Sequence, residues 1–456
     1  MADPAAEISR LDGFLSAWAP RIKAYDAYYE GEQPIRFMAP AMREEFGDRI
    51  TALVINLARL GTDAYENRLD INGFRFKGDT SRDEDLHDVW QANDMDEQSQ
   101  QGHLESLALS RSYVCIGSGD APGDSPLITV EHPLQVYVDR DPRTRKGRAG
   151  IKRVDDPDGT RWATLWLPNS TGQYRWTREG WALDSPVDDH NLGRLPVVPL
   201  VNRPRMLRPD GVSEFHDVLP ISDALNKIAT DMMVSAEYHQ MPRRWAFGLK
   251  EEDFVDVNGN PISPWKMAAG HIWANENPDV KVGQFPESDL ANFHNTIKVL
   301  LSVANMTMAL PPHYNPFTGD NPTSADAIRS SETQLVKRVE RKHTFLGGAW
   351  EEVMRIVLRI QTGTWEERAR SLETIWGDPS TPTIAQKADA ITKLATPING
   401  VAILPVDQAR EDLGYTPEQR TRMARMDSEA RTDPALEKIA AGFEARALSA
   451  AAAVDV

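Results

Sequence analysis

The hydrophobic and polar positions of the chain follow two different periods, one typical of helices and one typical of strands. Helical spacing of apolar residues occurs near the N-terminus in the segments 11–29, 51–69 and 86–110. In the second of these, one helix face should carry Leu53, Leu57, Leu60 and Ala64. Short apolar or alternating runs, which predict a small and mostly antiparallel sheet, follow at 113–116, 127–131, 135–139, 162–167 and 174–176.

Helical spacing returns in the second half of the chain. Long helices are predicted at 217–240, 288–309 and 323–361. The third is much longer than an average globular helix, and Gly347-Gly348 is the expected place for it to bend. Four shorter helices are predicted at 383–394, 405–413, 417–428 and 434–445.

Two segments interrupt these helices. The residues 247–286 are rich in Pro, Gly and Asn, and eight acidic residues stand against three lysines over 250–289. This pattern predicts a compact acidic insert. The residues 311–322 contain too much Pro, Gly and Asn for regular structure and are predicted to form a loop. The predicted fold class is therefore α+β, predominantly helical.

Composition narrows the class of protein. The chain has 456 residues, 41% of them hydrophobic, which is enough for two to four domains with real cores. It contains no apolar run of about 18 residues, and its first residues lack the basic and apolar regions of a secretory signal. We therefore expect a soluble, cytosolic product without a membrane partner.

The charge and the cysteine content exclude further classes. A net charge of −17 argues against a protein that wraps nucleic acid, because such binding depends on neutralising phosphates with Lys and Arg. The single cysteine, Cys115, rules out an intrachain disulfide. It lies in an apolar run, which favours a buried small hydrophobic residue over the alternative of a catalytic thiol.

No known catalytic pattern occurs in the sequence. It lacks a phosphate-binding G-x-x-x-x-G-K-[ST] loop, an H-E-x-x-H motif, a C-x-x-C motif and a G-x-S-x-G elbow. The ten histidines do not form a convincing metal-ligand frame. We expect no catalytic, cofactor-binding or metal-binding residues; a Mg²⁺-dependent nuclease that uses clustered carboxylates remains the enzymatic alternative.

One basic patch stands out in this acidic chain. The segment 140–148 has five basic residues in nine and lies between two predicted strands. A solvated hairpin tip is the first interpretation, because exposed Lys and Arg are common at turns. A phosphate-binding or subunit-contact surface is the alternative.

Several sequence stretches, in their order and spacing, resemble the portal proteins of tailed double-stranded-DNA phages, in particular those of siphophages infecting actinobacteria. The resemblance runs over nearly the whole chain, although no single stretch is diagnostic. The stretches are Ala27-Tyr-Tyr-Glu-Gly31, the segment 192–203, Gly211-Val-Ser213, the segment 221–226, Met241-Pro-Arg-Arg-Trp245, Ser324-Ala-Asp-Ala-Ile328, Trp376-Gly-Asp378 and Ala388-Asp-Ala390.

The resemblance implies an architecture and partners. Portals are rings of twelve subunits at a capsid vertex, present in the virion and assembled in the host cytoplasm, through which DNA is packaged and ejected. Their implied partners are double-stranded DNA, terminase, a head-completion adaptor, and the major capsid and scaffolding proteins. The implied regions are a wing (1–215), a stem helix (216–246), a clip (247–286), a second stem helix (287–310), a tunnel loop (311–322), a long bent helix with the wing return (323–380) and a helical crown (381–456).

The same resemblance suggests candidate site residues. In the tunnel loop, the positions expected to approach DNA without reading bases are His313, Tyr314, Asn315, Thr318 and Asn321. Packing of Tyr314 and Phe317 against a neighbouring subunit is an equal alternative. The long helix carries a basic cluster that would contact an adjacent subunit in preference to phosphate: Lys337, Arg338, Arg341 and Lys342. The acidic surface of the clip would comprise Glu251, Glu252, Asp253 and Asp256.

The net charge agrees with the implied role. DNA must slide through a channel, and an acidic lining repels the duplex whereas a basic one grips it. A virion protein without a channel, such as a minor capsid protein or an adaptor, remains the structural alternative.

Overall fold

Helices and strands alternate along the chain, as the two hydrophobic periods predict. The computed structural model describes residues 3–34, 36, 53–79, 81–119, 121, 123–240, 244–247, 281–284, 291–314, 324–380, 384–396, 403–415 and 417–431. The helices in these ranges are α1 (Pro4–Glu30), α2 (Leu57–Glu66), α3 (Glu84–Ala92), α4 (Met95–Leu109), α5 (Leu219–Gln240), α6 (Ala291–Met308), α7 (Ala325–Thr362), α8 (Ile384–Ala395), α9 (Val406–Asp412) and α10 (Pro417–Arg431). Helices contribute more of the described residues than strands do.

The described strands are all paired antiparallel. They are β1 (Ile71–Arg75), β2 (Arg111–Gly117), β3 (Leu127–Glu131), β4 (Val136–Arg140), β5 (Gly147–Asp155), β6 (Arg161–Trp166), β7 (Thr171–Thr177), β8 (Gly180–Leu183), β9 (Val197–Val201), β10 (Arg244–Phe247), β11 (Lys281–Gln284) and β12 (Glu373–Trp376). The mixed α and β composition agrees with the predicted fold class.

The chain divides into two compact units, Met1–Pro379 and Ser380–Val456. The first unit contains a five-stranded meander, β4 to β8 in chain order, and a three-stranded sheet in the order β3-β2-β9. Helix α1 covers the meander, because its apolar residues Ile8, Leu11 and Leu15 belong to the same hydrophobic cluster as Ile151 and Leu165. The basic segment 140–148 joins β4 to β5, and Arg143 and Arg145 at its tip are exposed.

Helix α7 forms the centre of the main core. Its sequence places apolar residues three or four positions apart, and Leu335, Val339, Trp350, Val353 and Val357 are all fully buried. The helix packs against β9, β12 and β2. Its long apolar stripe therefore holds the first unit together, and the predicted long helix is confirmed.

Helix α7 is continuous through Gly347-Gly348. A Cβ atom on Gly347 would lie 3.1 Å from Trp376 Nε1. Close packing against β12 therefore explains a glycine at position 347, and the bend stays a prediction.

The predicted helix at 51–69 is too long, and its predicted face is confirmed only for Leu57 and Ala64, which are buried. Within the described residues of this segment the helix begins at Leu57, where the side chain of Asn56 accepts a hydrogen bond from Arg59 N at 2.9 Å. Leu53 and Leu60 are 41% and 40% exposed, whereas Ala58 and Tyr65 are buried. The N-cap at Asn56 fixes the residue at which the helix begins, and Leu60 lies on the solvent-facing side of that helix.

The predicted helix at 86–110 is broken into α3 and α4. Asp94 lies between them with a φ of 51°, in the left-handed region. The side-chain amide of Asn93 donates to Val89 O and Pro126 O, and its carbonyl oxygen accepts a hydrogen bond from Ile128 N. Asn93 thus fixes β3 against the turn, which an apolar-period argument does not detect.

The second unit contains α8, α9 and α10, which confirms three of the four predicted C-terminal helices. The fourth, 434–445, lies outside the described residues. Arg420 of α10 bridges to Asp407 at 2.8 Å and to Glu411 at 3.0 Å, both in α9, and its side chain is 9% exposed. These ion pairs join two short helices that bury few apolar residues.

Because the ring of His103 is buried, we predict that the protein loses stability in acid at this residue. His103 is completely buried and accepts a hydrogen bond from Trp350 Nε1 at 2.8 Å. Burial, with a smaller contribution from His343, lowers the pKa of His103 to about 3. Between about pH 3 and pH 6.5 the folded state therefore binds fewer protons at His103 than the unfolded state does. The contribution of neutral His103 to the unfolding free energy is complete above pH 6.5 and is lost as the pH falls towards 3.

We expect the difference in unfolding free energy between the native chain and a His103→Gln variant to shrink by up to about 1.4 kcal/mol per pH unit below pH 6. Denaturant titrations from pH 7.5 to pH 4 measure it. The native chain is compared with the variant, and not measured alone, because burial raises the pKa of Glu66 and of Glu105 to about 7. These two carboxyl groups change the stability with pH in the opposite direction. A difference independent of pH would contradict the prediction.

Candidate functional site at the base of the 311–322 loop

The predicted loop at 311–322 begins with one turn of 3₁₀ helix, Pro312–Tyr314, directly after α6. The side chain of Ser324 then caps α7 by accepting a hydrogen bond from Ala327 N at 3.2 Å. Three of the predicted DNA-facing residues, Asn315, Thr318 and Asn321, lie outside the described residues. The structure therefore describes the start of this loop and the first turn of α7 that follows it, which together we call the loop base.

Tyr314 is held inside its own chain. It packs against the main hydrophobic core, and its hydroxyl accepts a hydrogen bond from Arg68 Nη2 at 2.9 Å. Arg68 also donates through Nη1 to Pro379 O at 2.6 Å, and its side chain is 7% exposed. The guanidinium of Arg68 thus connects the loop base to the end of the first unit.

His313 lies beside the same group of charges. Its Nε2 is 3.6 Å from Glu332 Oε1 of α7, and Arg68 Nη2 is 3.5 Å from the same oxygen. The His313 ring stands edge-on to Tyr314, with ring centroids 5.1 Å apart. Both described members of the predicted tunnel-loop set therefore have partners within the chain, and their approach to DNA stays a prediction.

The end of α6 is fixed to α2 and α7. Arg338 Nη1 donates to Thr307 O at 3.1 Å and contacts the Tyr65 hydroxyl at 3.4 Å. The Tyr65 hydroxyl donates to Met308 O. Tyr65 is completely buried, and this burial raises its pKa above the ordinary tyrosine range. Two carbonyl groups at the C-terminus of α6 are thereby satisfied by side chains.

Lys342 lies one turn further along α7 and is enclosed by its own chain. Its Nζ donates to Glu214 Oε2 at 2.6 Å and to Asn202 Oδ1 at 2.8 Å. The side chains of Lys342 and Glu214 are 8% and 3% exposed. Burial lowers the pKa of Lys342, and the nearby carboxylate of Glu214 offsets only part of this decrease. Burial also raises the pKa of Glu214, but the ammonium of Lys342 lowers it, and the net pKa of Glu214 lies below its ordinary value.

The predicted basic cluster of α7 is therefore divided. Arg338 and Lys342 point to partners in the same chain, whereas Lys337 and Arg341 are exposed. Lys337 forms an ion pair with Glu340 at 2.5 Å, which lies on the same helix. The part of the prediction that concerns a neighbouring subunit now rests on Lys337 and Arg341, because enclosed side chains cannot reach another molecule.

The predicted acidic surface, Glu251, Glu252, Asp253 and Asp256, lies outside the described residues. What the structure describes is the base of that insert. Strands β10 and β11 pair antiparallel, with Arg244 opposite Gln284 and Phe247 opposite Lys281. Helices α5 and α6, which lead into and out of the insert, also pack against each other. The two ends of the insert are thus brought together.

Among the described residues, no group of three or more His, Cys, Asp or Glu side chains is arranged to hold a metal ion. No helix in the described part of the chain is long and apolar enough to cross a membrane. Cys115 is half-buried against a hydrophobic cluster, and burial raises the pKa of its thiol well above the ordinary value.

Sequence reasoning does not identify three residues on which this region depends: Tyr65 and Arg68 near the loop base, and Glu214 beside Lys342. Tyr65 and Arg68 lie in or after a segment assigned to helix only. Glu214 follows Gly211-Val-Ser213, and nothing in its local sequence indicates a buried carboxylate. Its lysine partner lies 128 positions away, a distance that no local pattern spans.

A Tyr314→Phe variant tests whether Tyr314 has a structural role. Removing a hydrogen bond from the nearly buried Arg68 should lower the unfolding free energy by about 1.5 kcal/mol. Thermal or denaturant unfolding measures it, with Tyr415→Phe of the second unit, whose ring is 40% exposed, as the matched control. A stability equal to that of the control would assign Tyr314 to another role.

The chain is similar to known proteins over most of its length. The residues 16–404 match the family model for the phage portal protein, SPP1 Gp6-like. The chain belongs to this family of phage portal proteins. Its relatives include the portal protein of Mycobacterium phage D29, 35% identical over 442 residues, covering 94% of this chain and 90% of the relative. The portal protein of Mycobacterium phage L5 is 34% identical over 438 residues, covering 94% and 89%.

Solved structures give a weaker likeness. A chain from the neck of an empty gene transfer agent particle, computed with C6 symmetry, aligns with a TM-score of 0.44 and 14% identity over 85% of this chain and 96% of that one. A chain from the neck of the native particle, computed with C12 symmetry, aligns with a TM-score of 0.42 and 14% identity over 87% and 99%.

Proposed function

We propose that twelve copies of this chain form a closed ring at one capsid vertex, and that double-stranded DNA passes through its axis during packaging and ejection. Family membership supports this proposal, and the fixed base of the 311–322 loop supports it further. The end of α6 and the first turn of the 311–322 loop are held within the chain by Tyr65, Arg68 and Arg338. A loop on so firm a base can project into a narrow channel without moving its supports.

The regional assignment follows the elements described above. The residues 1–215 would form the wing and 381–456 the crown. Helices α5 and α6 would form the stem, which their mutual packing supports. The β10–β11 pair would close the base of the clip, 247–286. Terminase and later the head-completion adaptor would dock on that clip, through an acidic surface containing Glu251, Glu252, Asp253 and Asp256. The wing and crown would meet the major capsid and scaffolding proteins.

Contact with DNA would be weak and independent of base sequence. Because His313 and Tyr314 already have partners within the chain, the contact would fall mainly to Asn315, Thr318 and Asn321. Neutral polar side chains can meet phosphates without the counterion release that makes basic surfaces bind tightly. The net charge of −17 supports a conduit that lets the duplex slide.

The ring would have no catalysis of its own, and a partner ATPase would drive the DNA. The protein would be assembled in the host cytoplasm and end in the virion. Incubation with supercoiled plasmid and Mg²⁺ tests the enzymatic alternative. Cleavage that disappears on mutation of a carboxylate pair would favour a nuclease and contradict this proposal.

Imaging and one deletion test the channel. Negative-stain images of the purified protein should show rings with an axial hole, and a homogeneous monomer at every concentration would contradict the ring. Deleting 315–321, which spares His313 and Tyr314, should leave rings intact but reduce DNA packaging or retention in phage. A matched variant with alanine at Asn315, Thr318 and Asn321 separates the side chains from the loop length. Normal packaging in both would refute the tunnel-loop assignment and favour a virion protein without this channel contact.

A further inference from the structure

A tight turn between β9 and α5 presents two apolar side chains to solvent. Arg205 N donates to Arg208 O at 3.1 Å, and Arg208 N donates to Arg205 O at 2.9 Å. At its tip, Met206 is 86% exposed and Leu207 is 96% exposed, more than any other large hydrophobic residue that the structure describes. We call residues 205–208 the apolar-tipped turn. Paired apolar residues at such exposure indicate a contact surface.

The support beneath this turn is rigid. Gly211 has a φ of +72°, and a Cβ atom there would lie 2.2 Å from Asn202 O. Asp210 lies 3.5 Å from Arg111, whose side chain is 1% exposed and whose guanidinium is 4.3 Å from the centre of the Trp18 ring. A preformed turn loses little conformational freedom on binding, so it gains affinity from the same contacts.

A groove with complementary chemistry lies elsewhere on the first unit. It has a volume of about 980 Å³ and is bounded by α3, the segment 118–126 and the end of α7. The residues that line it include the apolar side chains of Val89, Ala92, Pro126 and Ile360 and the acidic side chains of Asp85, Asp88 and Asp124. We call it the acidic groove. This mixed apolar and acidic lining matches an apolar tip flanked by two arginines.

The turn and the groove lie at opposite ends of one sheet. Arg111 at the start of β2 is opposite Val201, after which the chain reaches the apolar-tipped turn. Gly117 at the end of β2 is opposite Leu127, next to the groove-lining segment 118–126. The seven residues of β2 separate these ends by about 20 Å. The turn and the groove of one chain therefore cannot meet each other.

We infer that the apolar-tipped turn of one copy of this chain docks in the acidic groove of the adjacent copy. The inference rests on the proposed ring and specifies one of its contacts. A closed ring needs two different, complementary surfaces on each subunit, which are what the two ends of the sheet provide. Charge favours a second copy as the occupant, because within the described residues Arg205 and Arg208 form no ion pair, while three carboxylates line the groove.

A charge exchange tests the pairing. We expect Arg205→Glu with Arg208→Glu, or Asp85→Lys with Asp88→Lys, to raise the protein concentration needed for ring assembly at least about tenfold. The four substitutions together should restore assembly, since the pairs are then reversed. Analytical ultracentrifugation measures the distribution. The control is Arg143→Glu with Arg145→Glu at the exposed β4–β5 turn, which should leave assembly unchanged.

Cross-linking provides a second readout. The native chain has one cysteine, Cys115, whose pKa burial raises, so added surface cysteines can be oxidised selectively. Leu207→Cys combined with Ala92→Cys should give a ladder of covalent oligomers from assembled rings, whereas either single variant should give no ladder beyond a dimer. A Met206→Ser, Leu207→Ser variant should assemble poorly, while its melting temperature as a monomer should equal that of the native monomer, because both side chains are exposed in the monomer.

The outcomes separate this inference from the proposed function. If the native chain forms rings and none of the turn or groove variants changes their assembly or cross-links, the docking inference is wrong and the ring stands. If the native chain forms no rings at all, the proposed function fails first. Assembly that responds to the turn variants without rescue by the exchange would assign the turn to a surface other than the groove.

Discussion

A Lys342→Met variant is expected to lose about 3–5 kcal/mol of unfolding free energy, the usual cost of leaving one partner of a buried ion pair without the other. Methionine approximates the length of lysine but cannot compensate the carboxylate of Glu214, which is 3% exposed on its side chain. Asn202 would also lose the hydrogen bond that it accepts from the Lys342 ammonium at 2.8 Å. Chemical denaturation at pH 7 measures the loss.

The double variant Lys342→Met, Glu214→Gln is the control. A neutral amide keeps a hydrogen bond with Asn202 and removes the uncompensated charge, so much of the stability should return. The matched surface variant is Lys337→Met, whose side chain is 67% exposed and whose loss should cost under about 1 kcal/mol. Equal losses at positions 342 and 337 would contradict the buried-pair interpretation.

A Gly211→Ala variant should cost more than about 3 kcal/mol. The left-handed φ of +72° strains any residue with a side chain, by about 1–3 kcal/mol. Steric repulsion adds to this, because the new Cβ would lie 2.2 Å from Asn202 O and 2.9 Å from Ser110 O, both backbone atoms that cannot rotate away. Displacing Asn202 also disturbs its contact with Lys342.

Gly78 is the matched control for this substitution. It has a φ of +99°, but nothing lies within 4 Å of a Cβ built on it. Gly78→Ala therefore has the conformational cost without the collision, and should lose about 1–2 kcal/mol. Calorimetric melting of both variants compares them. If Gly211→Ala were as stable as Gly78→Ala, the close approach of the backbone would not be a constraint.

The long elements of the fold could be predicted from apolar spacing alone. Helix α7 repeats an apolar residue every three or four positions over much of its length, and Ser324 offers an N-cap after the Pro-rich loop, so its existence and start follow from the sequence. The strand β5 is missed because its second half is polar, with Lys152 and Arg153 on it. The strands β1 and β12 are short, and they pair with each other although they lie far apart in the sequence. Local periodicity cannot detect such a pair.

The site was predicted only in part, for a related reason. The basic residues of α7 look like an exposed cluster in sequence, since Lys and Arg are usually solvated. Whether a lysine is enclosed depends on distant partners such as Glu214, which only tertiary structure brings to it. In the same way, Tyr314 in a Pro-rich loop gives no indication that Arg68 binds its hydroxyl.

The antiparallel pair of β1 and β12 has a consequence for how the chain comes to be folded. Ile71 lies opposite Trp376, so the ribosome must make about 300 further residues after β1 before its partner exists. At roughly 5–20 residues per second, β1 waits on the order of 15–60 s with an open edge. Helix α7, the core of the same unit, is also made late. The first unit can therefore finish folding only after its last residues, near Pro379, have been synthesised. Until then the N-terminal segments expose apolar surface to which chaperones can bind.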